Sequence, residues 1–82
     1  MMRVAMTQLG AARSLLAEAV HGEPAAVPED ARIGSFERWD SLAHMRLVLA
    51  VEAKIGRELD AEEVVRIECL DDIRAILESA KT

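Results

Sequence analysis

Aromatic residues are almost missing from this chain: Phe36 and Trp39 are the only two, 2 % of the residues. Long alternations of β-branched and aromatic residues, the mark of half-buried strands, are missing as well. No apolar run is long enough to cross a bilayer, so no membrane attachment is expected. The single cysteine, Cys69, cannot close an internal disulfide and is too few for a metal site. It also has no neighbouring cation or second cysteine to make it a ready thiolate. This usage fits a reducing compartment, and a cytoplasmic location is the expectation. Basic charge is scarce too. The net charge is −5, no Lys/Arg cluster is present, and a nucleic-acid partner is therefore not expected.

What remains is aliphatic. Hydrophobic residues make up 51 % of the chain, nearly all Ala, Leu, Val, Ile and Met, and this composition reads as all-α. The length of 82 residues predicts one domain. A chain this short buries only about 60–65 % of its unfolded surface and can seldom also enclose a deep, dry pocket. Size thus tilts the expectation from catalysis toward binding, carrying or scaffolding, by a monomer. The acidic surface suits encounters with basic patches on other proteins.

Helical spacing is clear in several places. Leu9, Ala12, Leu15, Leu16, Ala19 and Val20 fall at steps of three and four, predicting a first helix from Thr7 to Val20. Gly10 weakens its early turns, while His21-Gly22 and Pro24 offer its end. No acid precedes Glu18, and Arg3 and Arg13 give the start a faint likeness to a targeting segment. The apolar spacing runs straight on to Val20, as in an integral helix. Residues 23–38 hold both prolines and Gly34, and read as one long ordered loop pinned by Val27, Ile33 and Phe36. Trp39 is expected to anchor the same loop, because a lone tryptophan buries much area.

Asp40 then offers an N-cap, followed by Leu42, Met45 and Leu49 together with Leu47, Val51 and Ile55 on a broad apolar helix that stops at Gly56. Ser41 falls on the first turn of that helix, at the surface. Asp60-Ala61-Glu62-Glu63 is a capping-box pattern opening a short helix through Val64, Val65 and Ile67. Adjacent helical residues cannot both point inward, which makes Val65 a candidate exposed contact. Ile73, Ile76 and Leu77 mark a last helix ending near Ala80. Ser41 and His44 share a helix side and invite a nucleophile–base reading. Triads need an oriented base and a walled site, however, and His44 is expected to be solvated or to face a partner.

The stretch Trp39-Asp40-Ser41-Leu42 resembles the acyl carrier protein family, whose hallmark is Asp-Ser-Leu at the start of the second helix after a long first loop. The likeness runs on through Leu42–Glu52, with a Leu-Val pair at Leu47-Val48 and a late Glu52, to Ile55-Gly56. Leu59, Glu62, Glu63, Ile67 and Leu70-Asp71-Asp72-Ile73 look like the family's short third helix and the start of its fourth. The resemblance covers residues 7–80. It implies a four-helix bundle there, with residues 1–6 as an N-terminal extension and 81–82 as a tail.

The resemblance further implies that Ser41 carries a 4′-phosphopantetheine arm, donated by coenzyme A through a phosphopantetheinyl transferase. Asp40 and Leu42 would position and identify the site. Met45, Arg46, Leu49, Glu52 and Val65 would form the docking face. The implied role is that of a carrier holding an acyl or aminoacyl thioester for a loading ligase or transferase and for downstream biosynthetic enzymes, with no catalysis of its own. Where carriers of fatty acid synthesis show acids on the second helix, this chain has Ala43, Arg46, Ala53 and Lys54. That departure implies a specialised pathway. The alternatives are an unmodified carrier-like interaction module and, more distantly, a small hydrolase built on Ser41 and His44.

Overall fold

Local signals decide where the helices begin and end. In the computed structural model, which describes residues 2–80 and side chains from Leu9 onward, α1 spans Met2–Ala19, α2 Ser41–Ile55, α3 Ala61–Arg66 and α4 Leu70–Ser79. The expected tail 81–82 lies outside the described residues. Helix α1 starts earlier than Thr7 and runs through the segment expected as an extension. Neither Gly10 nor any proline-like break interrupts it.

Its end is a Schellman arrangement. His21, not Gly22, takes the left-handed conformation at φ 57°. The Gly22 amide donates to Ala17 O at 2.8 Å and the His21 amide to Glu18 O at 3.1 Å. Helix α2 starts on Asp40, whose carboxylate accepts from the Ala43 amide, and stops at Gly56 with φ 76°. Helix α3 opens on the full Asp60–Glu63 capping box. At the head of α4, Asp72 Oδ2 gathers the amides of Glu68 and Cys69 and the Cys69 thiol.

Helix α1 packs chiefly on α4 and α2. Trp39, Leu16, Leu47, Ile67, Ile73, Val27 and Val51 form the fully buried centre. Leu9, expected in the α1 stripe, is 41 % exposed, while Ala17, outside that stripe, is buried in the core cluster. On α2 the buried positions are Ala43, Leu47, Val48 and Val51, so the core takes the side opposite Leu42, Met45 and Leu49.

The long loop between α1 and α2 contains one 3₁₀ turn, Pro24–Ala26, and is ordered by both side chains and backbone. Val27, Ala31 and Trp39 are buried, and Ile33 and Phe36 pack against the core from the edge. Arg13 on α1 donates to Val27 O through Nε and a terminal nitrogen, at 2.9 and 2.6 Å. Arg38 reaches back to Val20 O at 3.1 Å. A single antiparallel bridge joins Arg32 to Cys69, with the Ile33 amide donating to Glu68 O. The loop is thereby tied to α1 at its start and to the α3–α4 junction at its middle. The outcome is a compact all-α four-helix protein with a long first loop and a short third helix. No helix among the described residues is long and apolar enough to cross a membrane.

Candidate functional site

Ser41 is the first residue of α2 and is exposed. Its position follows from its neighbours on both sides. Trp39 is only 2 % exposed and fixes the end of the loop in the core. Asp40 stays extended and turns its carboxylate onto the Ala43 amide at 2.8 Å. The chain therefore enters the helix at a defined angle, and the Ser41 side chain is left outside. Its hydroxyl makes no side-chain hydrogen bond among the described residues.

Trp39 itself is held by a relay. Its indole Nε1–H donates to His44 Nδ1 at 3.0 Å, and His44 Nε2 lies 2.9 Å from Val64 O on α3. Indole nitrogen can only donate, so Nδ1 must accept, and Nε2 carries the proton and donates to the carbonyl. The rings lie nearly parallel, 24° apart with centroids 6.0 Å apart. The expectation of a solvated or partner-facing His44 is corrected here. It is half-buried, and both ring nitrogens are engaged within the fold. Periodicity could not show this, because Trp39, His44 and Val64 come together only when α3 folds across the head of α2.

The remaining candidate residues divide into free and committed groups. Leu42, Met45, Leu49 and Val65 are 60, 56, 64 and 75 % exposed. Arg46 is exposed and has no ion-pair partner among the described residues. Glu52, by contrast, is half-buried and accepts the Leu59 amide on Oε2 at 2.8 Å, which closes the loop after α2. Val65 follows Val64, whose carbonyl receives His44, so α3 is bound to α2 at this point. Leu42, Met45, Arg46 and Leu49 share an arc of about 100° on α2, with Ser41 at its N-terminal border.

Below α3 the charges are paired with one another. Arg57 clasps Glu63 through two hydrogen bonds at 3.1 and 2.9 Å, and this contact pulls the Glu63 carboxyl down to about 2. Arg66 meets Glu62 at 3.6 Å. A cavity of about 270 Å³ lies between α3 and α4, with Arg57, Arg66, Ile67 and Ile76 in its wall. Ser41 is not part of it. The described residues contain no cluster of His, Cys, Asp and Glu that could hold a metal ion.

Chemically, the head of α2 offers a protruding hydroxyl beside a positive helix end. It offers that hydroxyl no oriented base, since both His44 nitrogens are occupied. Comparison with the models of known protein families and with curated proteins finds no match for this chain.

Proposed function

We propose that this chain is an acyl or aminoacyl carrier that holds its cargo as a thioester on a 4′-phosphopantetheine arm at Ser41. The observation that carries the reading is the presentation of Ser41: first in α2, exposed, hydrogen-bonded to no other side chain, on a helix start clamped by Asp40 and Trp39. A transferase needs a hydroxyl protruding from a firm element with open approach, and supporting contacts on rigid elements provide that. The phosphodiester formed there would sit at a helix N-terminus, where a negative charge is favourable. The four-helix order with a long first loop and short third helix agrees with the family resemblance of Trp39-Asp40-Ser41-Leu42.

The loading step is a phosphoryl transfer. Ser41 Oγ bonds to the pantetheine-side phosphorus of coenzyme A, and the pyrophosphate P–O bond breaks. Adenosine 3′,5′-bisphosphate leaves, and the hydroxyl proton passes to a base of the phosphopantetheinyl transferase. Cargo is then loaded by a separate ligase or transferase and passed to downstream biosynthetic enzymes of a specialised pathway.

The experiment is a mass measurement after incubation with coenzyme A, magnesium and a promiscuous transferase. Wild type should gain one phosphopantetheinyl group and Ser41→Ala none. An unmodified wild-type protein would favour the interaction-module reading, and labelling that survives in Ser41→Ala would move the site elsewhere.

A further inference from the structure

Ser41 lies inside two nested hydrogen-bonded rings. The inner ring is closed by the Asp40 carboxylate on the Ala43 amide at 2.8 Å, the outer one by Trp39 Nε1–H on His44 Nδ1 at 3.0 Å. His44 Nε2 also holds Val64 O at 2.9 Å, so the outer ring ties the end of the long loop to two helices. The rings answer differently to a proton. Carboxylates ordinarily change charge well below neutrality, whereas imidazoles do so between about pH 5 and 8.

Proton uptake by His44 has a one-sided consequence. An indole nitrogen only donates, so the bond from Trp39 requires a bare Nδ1. In an imidazolium both nitrogens carry hydrogen, and one N–H would face another across 3.0 Å. Turning the ring over restores nothing, because neither nitrogen then accepts. The bond from Nε2–H to Val64 O survives and is strengthened by the charge. The indole is the side that must yield. Trp39 is 2 % exposed, which leaves little water at hand to replace the imidazole.

No contacting charge offsets this loss. On α2, Asp40 lies one turn before His44 and keeps its charge, but its carboxylate is turned to the Ala43 amide. Arg46 lies about 200° round the same helix. On the loop, Glu37 is exposed and Arg38 is held by Val20 O. On α3, Glu63 is clasped by Arg57 and Glu62 meets Arg66. Among the described residues no carboxylate from any element, α1 and α4 included, pairs with the imidazole.

We propose that His44 is a proton-operated latch at the head of α2. Neutral, it holds the end of the long loop against α2 and α3; on taking a proton it lets go of Trp39 and keeps Val64. One consequence rests on the carrier reading: the latch sets how firmly Ser41 is presented to its transferase, with His44 as a positioning residue.

The test uses the unmodified full chain from about pH 8 to 5.5. Ring nitrogen shifts follow the proton on His44. The shift of the indole N–H and its exchange, corrected for the intrinsic pH dependence, follow the bond. As His44 takes its proton, protection of the indole hydrogen should fall about tenfold. Amide shifts should move over residues 36–41 and hold on α3. His44→Asn, whose amide oxygen falls near the Nδ1 position and does not titrate, should keep the protection and lose the pH step. His21→Asn removes the other histidine, suits the left-handed turn there, and should leave the step as in wild type. A transferase assay then compares kcat/KM of wild type with that of His44→Asn, so that the transferase's own pH profile cancels. The ratio should be near one at the alkaline end and fall by up to about tenfold at the acid end.

A His44 that stays neutral across the range would overturn the latch, as would an indole that keeps its protection beside a charged His44. So would a step that persists in His44→Asn or vanishes in His21→Asn, or a far-UV signal lost in parallel, which marks general unfolding. A latch that opens while the kcat/KM ratio stays constant would overturn its consequence for Ser41. Failure of modification at every pH, with the latch observed by NMR, would remove the carrier reading and leave the latch standing.

Discussion

Trp39 and His44 are joined by a hydrogen bond of 3.0 Å that links the buried end of the long loop to the first turns of α2. Through its other nitrogen, His44 extends the link to Val64 O on α3. One imidazole therefore holds three segments in register around the head of α2, and it does so in its neutral form protonated on Nε2. Nitrogen chemical shifts of the ring should report that tautomer at neutral pH; the Nδ1-protonated form would contradict the relay.

Removing the relay should be costly because its donor is buried. Trp39→Ala should lower stability by about 3–5 kcal/mol, the range for deleting a large core aromatic. His44→Ala should cost about 2 kcal/mol, since the indole N–H is left without an acceptor. Trp39→Phe keeps most of the apolar area and should fall below both. Urea midpoints at constant slope measure all three, and a silent His44→Ala would show that water replaces the imidazole.

The turn after α1 predicts a gain. His21 holds φ 57°, a conformation that costs most residues about 1–2 kcal/mol and glycine little. His21→Gly should therefore raise stability by about 0.5–1 kcal/mol, with both Schellman hydrogen bonds kept. A drop in the thermal midpoint would mean that the exposed imidazole contributes more than its backbone strain costs.

Asp40 gives a prediction about the helix start itself. Its carboxylate accepts the Ala43 amide, so Asp40→Ala should cost about 1 kcal/mol and Asp40→Asn less than half of that. Hydrogen exchange at Ala43 should quicken in the alanine variant alone. Equal losses in both variants would assign the effect to charge at the helix end instead of the hydrogen bond.

The helix starts and stops were legible because each has a local chemical cause. Asp40, the Asp60–Glu63 pair and Gly56 act within a few residues, and all three work in the fold as their spacing suggests. The inward side of α2 was harder to read. Leu42, Met45 and Leu49 look as apolar in sequence as Leu47 and Val51, yet only the side that carries Ala43, Leu47, Val48 and Val51 is buried. The side-chain ties of the loop could not be read at all. Arg13 to Val27, Arg38 to Val20 and Glu52 to Leu59 are polar side chains that look like ordinary solvated charge until the tertiary fold brings a backbone group to each. Ser41 at the surface was legible from its N-cap. Its modification was suggested by family resemblance, not by the pattern of its own residues.

Acid should act through Glu63. In the folded state its carboxyl lies at about 2, held down first by the Arg57 hydrogen bonds and then by the Asp60 amide. In an unfolded chain a glutamate titrates near about 4.3. The folded form thus binds fewer protons between those values. The stabilisation is complete above the unfolded value and disappears as the pH falls through about 2. Glu63→Gln keeps a side chain that can close the capping box but loses the ion pair. The variant should be less stable than wild type at pH 7, and the two stabilities should converge between about pH 5 and pH 2. Asp71, also lowered by its contact with Arg74, titrates in both proteins and cancels in the difference. Because the Arg57–Glu63 pair is solvent-exposed, the gap at pH 7 should shrink in high salt. Chemical denaturation of both proteins across this pH range, with Arg57→Met as a second variant, decides the matter. A gap that is constant with pH would show that Glu63 acts through the cap geometry alone, with no share for its charge.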